Sequence, residues 1–333
     1  MTASPVTAAR PATVWVALVT VYLVWGSTYL AIRVAVRTAP PLLAMGVRFL
    51  AAGVLLAAVL ALRSGPRSLV VDRRRLAGCA VVGLLLLLGG NGLVAVAERT
   101  VPSGLAALVV ASTPLWLVVL RLVVARERVT RVSLAGTALG FVGIAVLVLP
   151  GGLTGPHGEP VRVGGLLVVV AAAACWALGS FVSSRLPMPG DAFVATTWEM
   201  LCGGAGLVVV AAVSGELSGL DVGAVSGTAW LALGYLVLVG SIVAFSAYVW
   251  LLAHAPLSLT ATYAYVNPVV AVALGALLLD EPVSAAVLVG GAVVVAGVGL
   301  VVSAERPRRA GPAATAGGTG PVEGGTEVVD LRS

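Results

Sequence analysis

Apolar runs of about 20 residues recur along nearly the whole chain, and they constrain its fold more than any other feature. Ten runs can be marked, at 14–32, 42–62, 76–97, 103–124, 132–149, 164–182, 192–213, 228–253, 258–279 and 285–302. Each can cross a hydrocarbon core of about 30 Å as a helix. Only 10% of the residues are charged, whereas soluble domains carry about 25%. The sequence therefore predicts an all-α membrane protein with ten transmembrane helices.

The basic residues predict how these helices are oriented. All 20 are arginine, and most lie in the loops after the second and fourth runs or near the two ends of the chain. Arginine-rich loops stay on the cytoplasmic side, so both termini are expected in the cytoplasm of a bacterial-type inner membrane. The first run is too long for a signal peptide and is interpreted as a retained span. These cytoplasmic arginines account for the net charge of +6, so the charge does not indicate nucleic-acid binding.

Two halves of the chain resemble each other. The segment WGSTY at 25–29 precedes a Pro-Pro break at 40–41, and WALGSF at 176–181 precedes a break at Pro187 and Pro189. Pro102 and Glu127 recur as Pro256 and Glu281, each at the same separation along the chain. The alternative is that two apolar halves look alike through composition alone, but the matching Pro, Glu and Trp positions favour duplication.

A duplicated unit of five spans must enter the membrane upside down the second time, because five is odd. Such inverted repeats are a recurrent transporter architecture, with the substrate site near the midplane. The predicted organisation is a cytoplasmic N-terminus at 1–12, a first repeat at 13–149, a linker at 150–163, a second repeat at 164–303 and a disordered cytoplasmic tail at 304–333.

The sequence also resembles a known family. Three features are similar to the EamA-type members of the drug/metabolite transporter superfamily. They are WGSTYLAIRVAV followed by PPLLAMGVRFL, the proline of the fourth run with the later Arg126-Glu127-Arg128, and the similar segment Asp280-Glu281-Pro282 in the second half. The resemblance spans about 15–302 and implies a ten-helix inner-membrane carrier that exports amino acids, related metabolites or drugs. Arg126 departs from the glycine that the family usually has there, which leaves the geometry of that loop open.

Two charged residues lie inside the apolar runs. Arg48 is deep in the second run and Glu199 is at a similar depth in the seventh. A charge at such depth is costly without a partner or water. One hypothesis is that Arg48 contacts solute while Glu199 carries an exchangeable proton. The alternative is a structural pairing that only holds helices together.

Polar and aromatic side chains accompany these charges. The candidate substrate-binding residues are Trp25, Ser27, Tyr29, Arg48, Asn91, Trp176, Ser180, Glu199, Tyr263 and Asn267. Aromatic rings beside hydroxyl groups suit an amphipathic solute, although Trp and Tyr also form interfacial belts. Pro114 and Pro268 each remove one helical hydrogen bond, which predicts either a gate or a static kink. For Glu127 and Glu281, a helix cap or a loop ion pair is favoured.

The functional prediction is a secondary active transporter that works by alternating access, with a small-molecule solute, the bilayer and a coupling proton as partners. No cofactor or metal is predicted, because the two His residues are isolated and no phosphate-binding loop is present. The alternative function is a multispan membrane enzyme that acts on a lipid-linked substrate. Gly136 and Gly140 form a GxxxG pair that serves intramolecular packing as readily as a dimer, so the oligomeric state stays open.

Overall fold

The computed structural model describes residues 11–148 and 161–304. Its ten long helices are α1 Pro11–Ala35, α2 Pro41–Ser64, α3 Arg73–Ala97, α4 Ser103–Val123, α5 Arg131–Val148, α6 Val163–Ser183, α7 Ala192–Val213, α8 Gly227–Leu252, α9 Tyr263–Leu279 and α10 Ala285–Ala304. Nine of them are long and apolar enough to cross a membrane, and α9 is a shorter apolar helix. The predicted all-α fold with ten transmembrane helices is confirmed. Most of the predicted linker, and nearly all of the predicted N-terminal segment and tail, lie outside the described residues.

Four of the predicted continuous spans are internally irregular. A π-helix occupies Leu84–Gly92 in α3 and Leu236–Val243 in α8, and each of these is the third helix of its half. The fourth span of each half is broken instead: α4 unwinds between Val110 and Thr113, and the short helix Leu257–Thr260 precedes α9. Irregular backbone at membrane depth is tolerated only where protein or a water-filled cavity surrounds it, so these four helices are candidates to line the functional site.

The helices of one half pack against those of the other in a symmetric pattern. The most extensive contacts join α5 to α10 and α2 to α7, and α4 packs on α9. In addition, α1 packs against α8 and α9, while α6 packs against α3 and α4. Exchanging the two halves maps the first three contacts onto themselves and exchanges the contacts of α1 with those of α6, as expected for two inverted five-helix repeats.

Glycines allow the closest of these approaches. A Cβ on Gly297 of α10 would lie 2.5 Å from the backbone nitrogen of Gly140 in α5, and one on Gly136 would lie 2.8 Å from the carbonyl oxygen of Gly297. The GxxxG pair of α5 therefore packs within the chain, against α10. Small residues at such interfaces are typical of helix pairs in lipid.

The helix ends differ between the two faces of the molecule. We call the face that carries the loops 36–40, 98–102, 214–226 and 280–284 the outer face, following the arginine distribution. On the other face, Asp72 and Asp191 cap the helices that follow them, α3 and α7. The hydrogen bond from the backbone of Arg75, together with that from Arg74, holds the pKa of Asp72 below its usual value.

On the outer face, two helices of the first half are capped by carboxylates of the second half. Glu216 accepts hydrogen bonds from the backbone of Leu42 (3.3 Å) and Leu43 (2.9 Å) at the start of α2. Glu281 accepts from the backbone of Ser103 (2.7 Å) and Gly104 (3.0 Å) and from the Ser103 hydroxyl (3.0 Å) at the start of α4. These contacts tie the two halves together at the outer face.

Candidate functional site

An aromatic cluster lies near the middle of the bundle, where α1, α8 and α9 meet. The ring of Trp25, near the centre of α1, is 5.1 Å from that of Tyr248 and 5.2 Å from that of Tyr263, centroid to centroid. The rings of Tyr248 and Tyr263 are 5.7 Å apart and nearly perpendicular. Two predicted site residues, Trp25 and Tyr263, thus meet in one place, and Tyr248 joins them. Sequence reasoning missed Tyr248 because its immediate neighbours, Ala247 and Val249, are apolar.

A buried arginine lies one to two helical turns from this cluster, towards the outer face. Arg48 is 5% exposed and lies about 10 Å along α2 from its outer end. Its Nε donates to the Ser241 hydroxyl at 3.1 Å, its Nη1 is 3.8 Å from the Met45 sulfur, and the guanidinium lies 4.6 Å from the centre of the Phe49 ring. Among the described residues, no carboxylate lies within ion-pair distance of this guanidinium.

The π-helix of α8 positions the partner of Arg48. The Ser241 hydroxyl donates to the carbonyl of Leu236, five residues earlier, at 2.9 Å. A Cβ on the adjacent Gly240 would lie 3.2 Å from the Thr28 methyl and 3.5 Å from Nη2 of Arg48. Because that position is a glycine, the side chains of α1 and α2 converge on the backbone of α8. The arginine, a serine and a threonine thus form a compact polar site, and it lies one to two helical turns from the aromatic rings, because Thr28 is three residues from Trp25 and Ser241 is seven residues from Tyr248.

Two more predicted residues of α1 lie on either side of this polar site. The hydroxyls of Ser27 and Tyr235 are 2.6 Å apart, which joins α1 to the start of the α8 π-helix. Tyr29 is partly buried and packs against the apolar cluster formed mainly by α4, α5 and α10. Ser27 therefore borders the polar site, whereas Tyr29 faces a different set of helices.

Asn91, Trp176 and Ser180 form a separate group between α3 and α6. A Cβ on Gly90 would lie 2.6 Å from the Trp176 ring, so this ring packs directly on the π-helix of α3. The Asn91 amide is 3.4 Å from the Leu86 carbonyl, and the Ser180 hydroxyl donates to the Trp176 carbonyl at 2.9 Å. These contacts are the second-half counterpart of the packing of α1 on α8.

Glu199 does not pair with Arg48. Gly46 faces Val208 and Gly53 faces Leu201 across the antiparallel α2–α7 contact. Glu199 therefore lies about 10 Å further along the axis than Arg48, towards the inner face. Its backbone packs on Gly83 of α3, and no ion pair to its carboxylate occurs among the described residues.

The two predicted gating prolines sit in different surroundings. Pro114 lies at the start of the second part of α4, where the Thr113 hydroxyl bonds the Val110 carbonyl at 2.7 Å. Because Pro114 has no N–H, this hydroxyl replaces the missing donor. Pro268 lies inside α9, and the neighbouring Asn267 is 8% exposed, with a side-chain oxygen that no described donor satisfies.

Glu98 is a second residue that sequence reasoning missed. It follows Ala97 at the outer end of α3 and is completely buried, and neither of its carboxylate oxygens has a hydrogen-bond donor among the described residues. The Arg33 guanidinium donates to the backbone carbonyl of Glu98 instead. The local sequence Glu98-Arg99-Thr100 resembles an exposed loop, so only the tertiary structure reveals this buried acid.

The arrangement is one of polar groups around apolar rings and contains no metal-binding cluster. No group of three or more His, Cys, Asp or Glu side chains in the described ranges could hold a metal ion. The three described cysteines are free thiols.

Comparison with known proteins decides the family. The model of the EamA-like transporter family matches residues 12–149 and again residues 163–303. The chain belongs to the EamA-like transporter family. It is thus a multi-pass membrane transporter of the drug/metabolite transporter superfamily, and the alternative of a membrane enzyme is not supported.

Related proteins agree with this assignment. This transporter is 42% identical to the inner membrane transporter YedA of Escherichia coli (strain K12) over 271 residues, which cover 80% of this chain and 83% of YedA. It is 28% identical, over 87% of its length and 94% of the relative's, to a "probable amino-acid metabolite efflux pump" of Salmonella typhimurium. One crystal structure superposes with a TM-score of 0.58 over 87% of this chain and 96% of the other at 20% identity, which supports the fold alone.

Proposed function

We propose that this transporter exports small organic solutes that combine a carboxylate with an apolar side group, amino acids and related metabolites among them, across the inner membrane by alternating access. The observation that carries the proposal is Arg48, a buried guanidinium that makes its contacts with uncharged partners, one to two helical turns from the rings of Trp25, Tyr248 and Tyr263. Two relatives support the class, because one is described as an inner membrane transporter and another as an amino-acid metabolite efflux pump.

The charge of Arg48 explains why an anionic group is expected. Taking a cation out of water costs several kcal/mol unless a counter-charge or good hydrogen bonds replace the lost hydration. A serine hydroxyl and a thioether sulfur offset little of that cost. The carboxylate of a bound solute would supply the missing charge, and guanidinium groups bind carboxylates through two parallel hydrogen bonds.

The aromatic cluster explains the expected apolar part. Its rings lie one to two helical turns further from the outer face than Arg48. A solute anchored at Arg48 would therefore place its side group against these rings, which offer apolar area and a few hydroxyls. The π-helices and broken helices of the third and fourth spans would supply the mobile elements for rocking the halves about this site.

Proton antiport is part of the proposal, with Glu199 as the proton carrier. The residue is an acid inside α7, partly buried, with no ion pair among the described side chains. Intramembrane acids are candidates for proton relays by default. In everted vesicles, Glu199→Gln is expected to abolish the pH dependence of export, and unchanged pH dependence would refute this role.

The solute class can be tested with one matched pair of compounds. Purified protein in proteoliposomes is assayed by counterflow of radiolabelled L-phenylalanine, with unlabelled phenylalanine or 2-phenylethylamine as competitor. The amine keeps the ring and the amino group but lacks the carboxylate. Phenylalanine should compete and the amine should not.

Variants of Arg48 connect that result to the site. Arg48→Lys keeps the charge but loses the two-pronged geometry, so counterflow should fall at least about tenfold, the equivalent of one charge-assisted hydrogen bond. Arg37→Lys at the exposed outer end of α1 is the control and should behave like wild type. Full activity of Arg48→Lys, or equal competition by the amine, would refute carboxylate recognition at this residue.

A further inference from the structure

Glu98 has surroundings unlike those of any other described acid. Its side chain is 0% exposed, and both carboxylate oxygens are buried without a hydrogen-bond donor. The other acid buried on the outer face, Glu281, accepts three hydrogen bonds at the start of α4. The contrast shows that the fold provides donors for one buried carboxylate and leaves the other without any.

The charged and titratable groups around Glu98 come from three directions. Arg33 and Tyr29 approach from α1, Arg48 from α2, and Glu281 from the loop before α10. The remaining neighbour, α6, carries no acidic or basic residue. Arg33 directs a hydrogen bond at the backbone carbonyl of Glu98, and a second carboxylate, Glu281, opposes a negative charge at this position.

The physical consequence is that a negative charge on Glu98 is disfavoured here. A carboxylate without donors loses its hydration and gains nothing in exchange. Burial raises the pKa of the Glu98 carboxyl well above its ordinary range, Glu281 raises it further, and Arg33 and Arg48 lower it. The neutral acid, which needs far less solvation, is the form that fits this environment.

The same region is where the two halves are tied at the outer face. Ser103 and Glu281, which close the contact between the loop before α10 and the start of α4, are 0% and 7% exposed. If this contact opens, water reaches Glu98 and the carboxylate can be hydrated. Protonation of Glu98 and closure of the outer ends are therefore linked, since the closed arrangement prefers the proton-bound form.

We propose that Glu98 is a proton-binding site of the outer gate, and that the outer ends of the helices close only over the neutral acid. The proton comes from water on the outer side and converts the carboxylate to the carboxylic acid; opening lets it leave the same way. The inference rests on the proposed alternating access, and it gives that cycle a control by external pH that is separate from solute binding at Arg48.

The experiment measures gate opening without any solute. The three native cysteines are replaced by alanine, and spin labels are attached at Arg37→Cys and Ala285→Cys, two exposed positions at the outer ends of α1 and α10. Distances between the labels in lipid nanodiscs are recorded by double electron–electron resonance from mildly acidic to mildly alkaline pH. Closed and open populations are read from the distance distribution for the protein with wild-type Glu98 and for the Glu98→Gln, Glu98→Asp and Asp221→Asn variants.

The expected result is a closed-to-open ratio that falls with rising pH, by up to about tenfold for each pH unit between the pKa values of Glu98 in the closed and open forms. Glu98→Gln should stay closed at every pH, because the amide is a neutral isostere of the acid. Glu98→Asp should restore a pH response, and Asp221→Asn, a change to an exposed acid of the outer loop 214–226, should behave like wild type.

Two outcomes overturn the inference: a wild-type ratio that does not change with pH, or a change that is the same in Glu98→Gln. The thermal unfolding temperature of Glu98→Gln checks that the variant is folded, and a neutral native acid predicts that it unfolds no more easily than wild type. Because no solute is added, failure here is distinguishable from failure of phenylalanine counterflow, which tests the proposed function alone.

Discussion

Glu281→Ala should destabilise this transporter far more than Glu127→Ala, although the two glutamates occupy matching positions in the repeats. Glu281 is 7% exposed and accepts three hydrogen bonds at 2.7–3.0 Å, two of them from the first N–H groups of α4. Glu127 pairs with Arg121 at 2.7 Å and Arg185 at 3.2 Å, but its side chain is 40% exposed. The comparison separates a buried cap from surface ion pairs.

The magnitude follows from burial. Each buried donor left without an acceptor costs about 1–3 kcal/mol, and Glu281→Ala would leave the N–H groups of Ser103 and Gly104 without one. Exposed ion pairs contribute about 0–1 kcal/mol, and water replaces Glu127 easily. The expected gap in unfolding free energy between the two variants is therefore about 1–6 kcal/mol, with Glu281→Gln intermediate because one acceptor oxygen remains.

Unfolding in mixed micelles by added SDS, followed by the loss of helical circular dichroism, measures the difference. The double variant should cost close to the sum of the single variants, because the two residues lie on opposite faces. Equal destabilisation by Glu127→Ala and Glu281→Ala would refute the reasoning, since it would mean that the cap on α4 contributes no more than a solvated ion pair.

Two further predictions concern packing and pH. Gly297→Ala should destabilise the protein by about 1–3 kcal/mol, because the added methyl group forces α10 away from α5. Gly299→Ala on the same helix should be tolerated, because nothing lies within 4 Å of its added Cβ. Thermal unfolding of the two variants measures the difference. The unfolding free energy of wild type relative to Glu98→Gln should fall as pH rises above the ordinary pKa of a glutamate, about 4.3. The fall should reach up to about 1.4 kcal/mol per pH unit until the folded-state pKa is passed, because the folded protein holds the proton more tightly than the unfolded chain. A pH titration of unfolding that is identical in both proteins would contradict this.

Local properties of the chain were sufficient to predict the helices. Apolar length is read along one dimension, and α2, α6 and α7 lie within a few residues of the predicted runs. The irregularities were not predictable in the same way. The π-helix at Leu236–Val243 has an ordinary apolar sequence, and its role became visible only when Ser241 was seen to meet Arg48 from another helix.

The candidate site was predicted in part. Trp25, Arg48 and Tyr263 carry side chains that stand out in an apolar run, and the structure brings them to neighbouring positions at the junction of α1, α2, α8 and α9. Arg48 and Glu199 also stand out, but their depths in separate helices did not reveal the offset of about 10 Å between them. The offset depends on the register between α2 and α7, which the glycine contacts determine.

The sequence by itself determined the number of membrane crossings, the duplication and the family, because apolar length, the order of short motifs and charge bias are properties of consecutive residues. Only the tertiary structure decided which glutamate is capped, which is solvated and which is buried without a donor. Glu98, Glu127 and Glu281 all stand at helix ends beside polar residues, so their local sequences look alike. Their environments differ because hydration is removed by residues far away in the chain, and that depends on how the two halves pack.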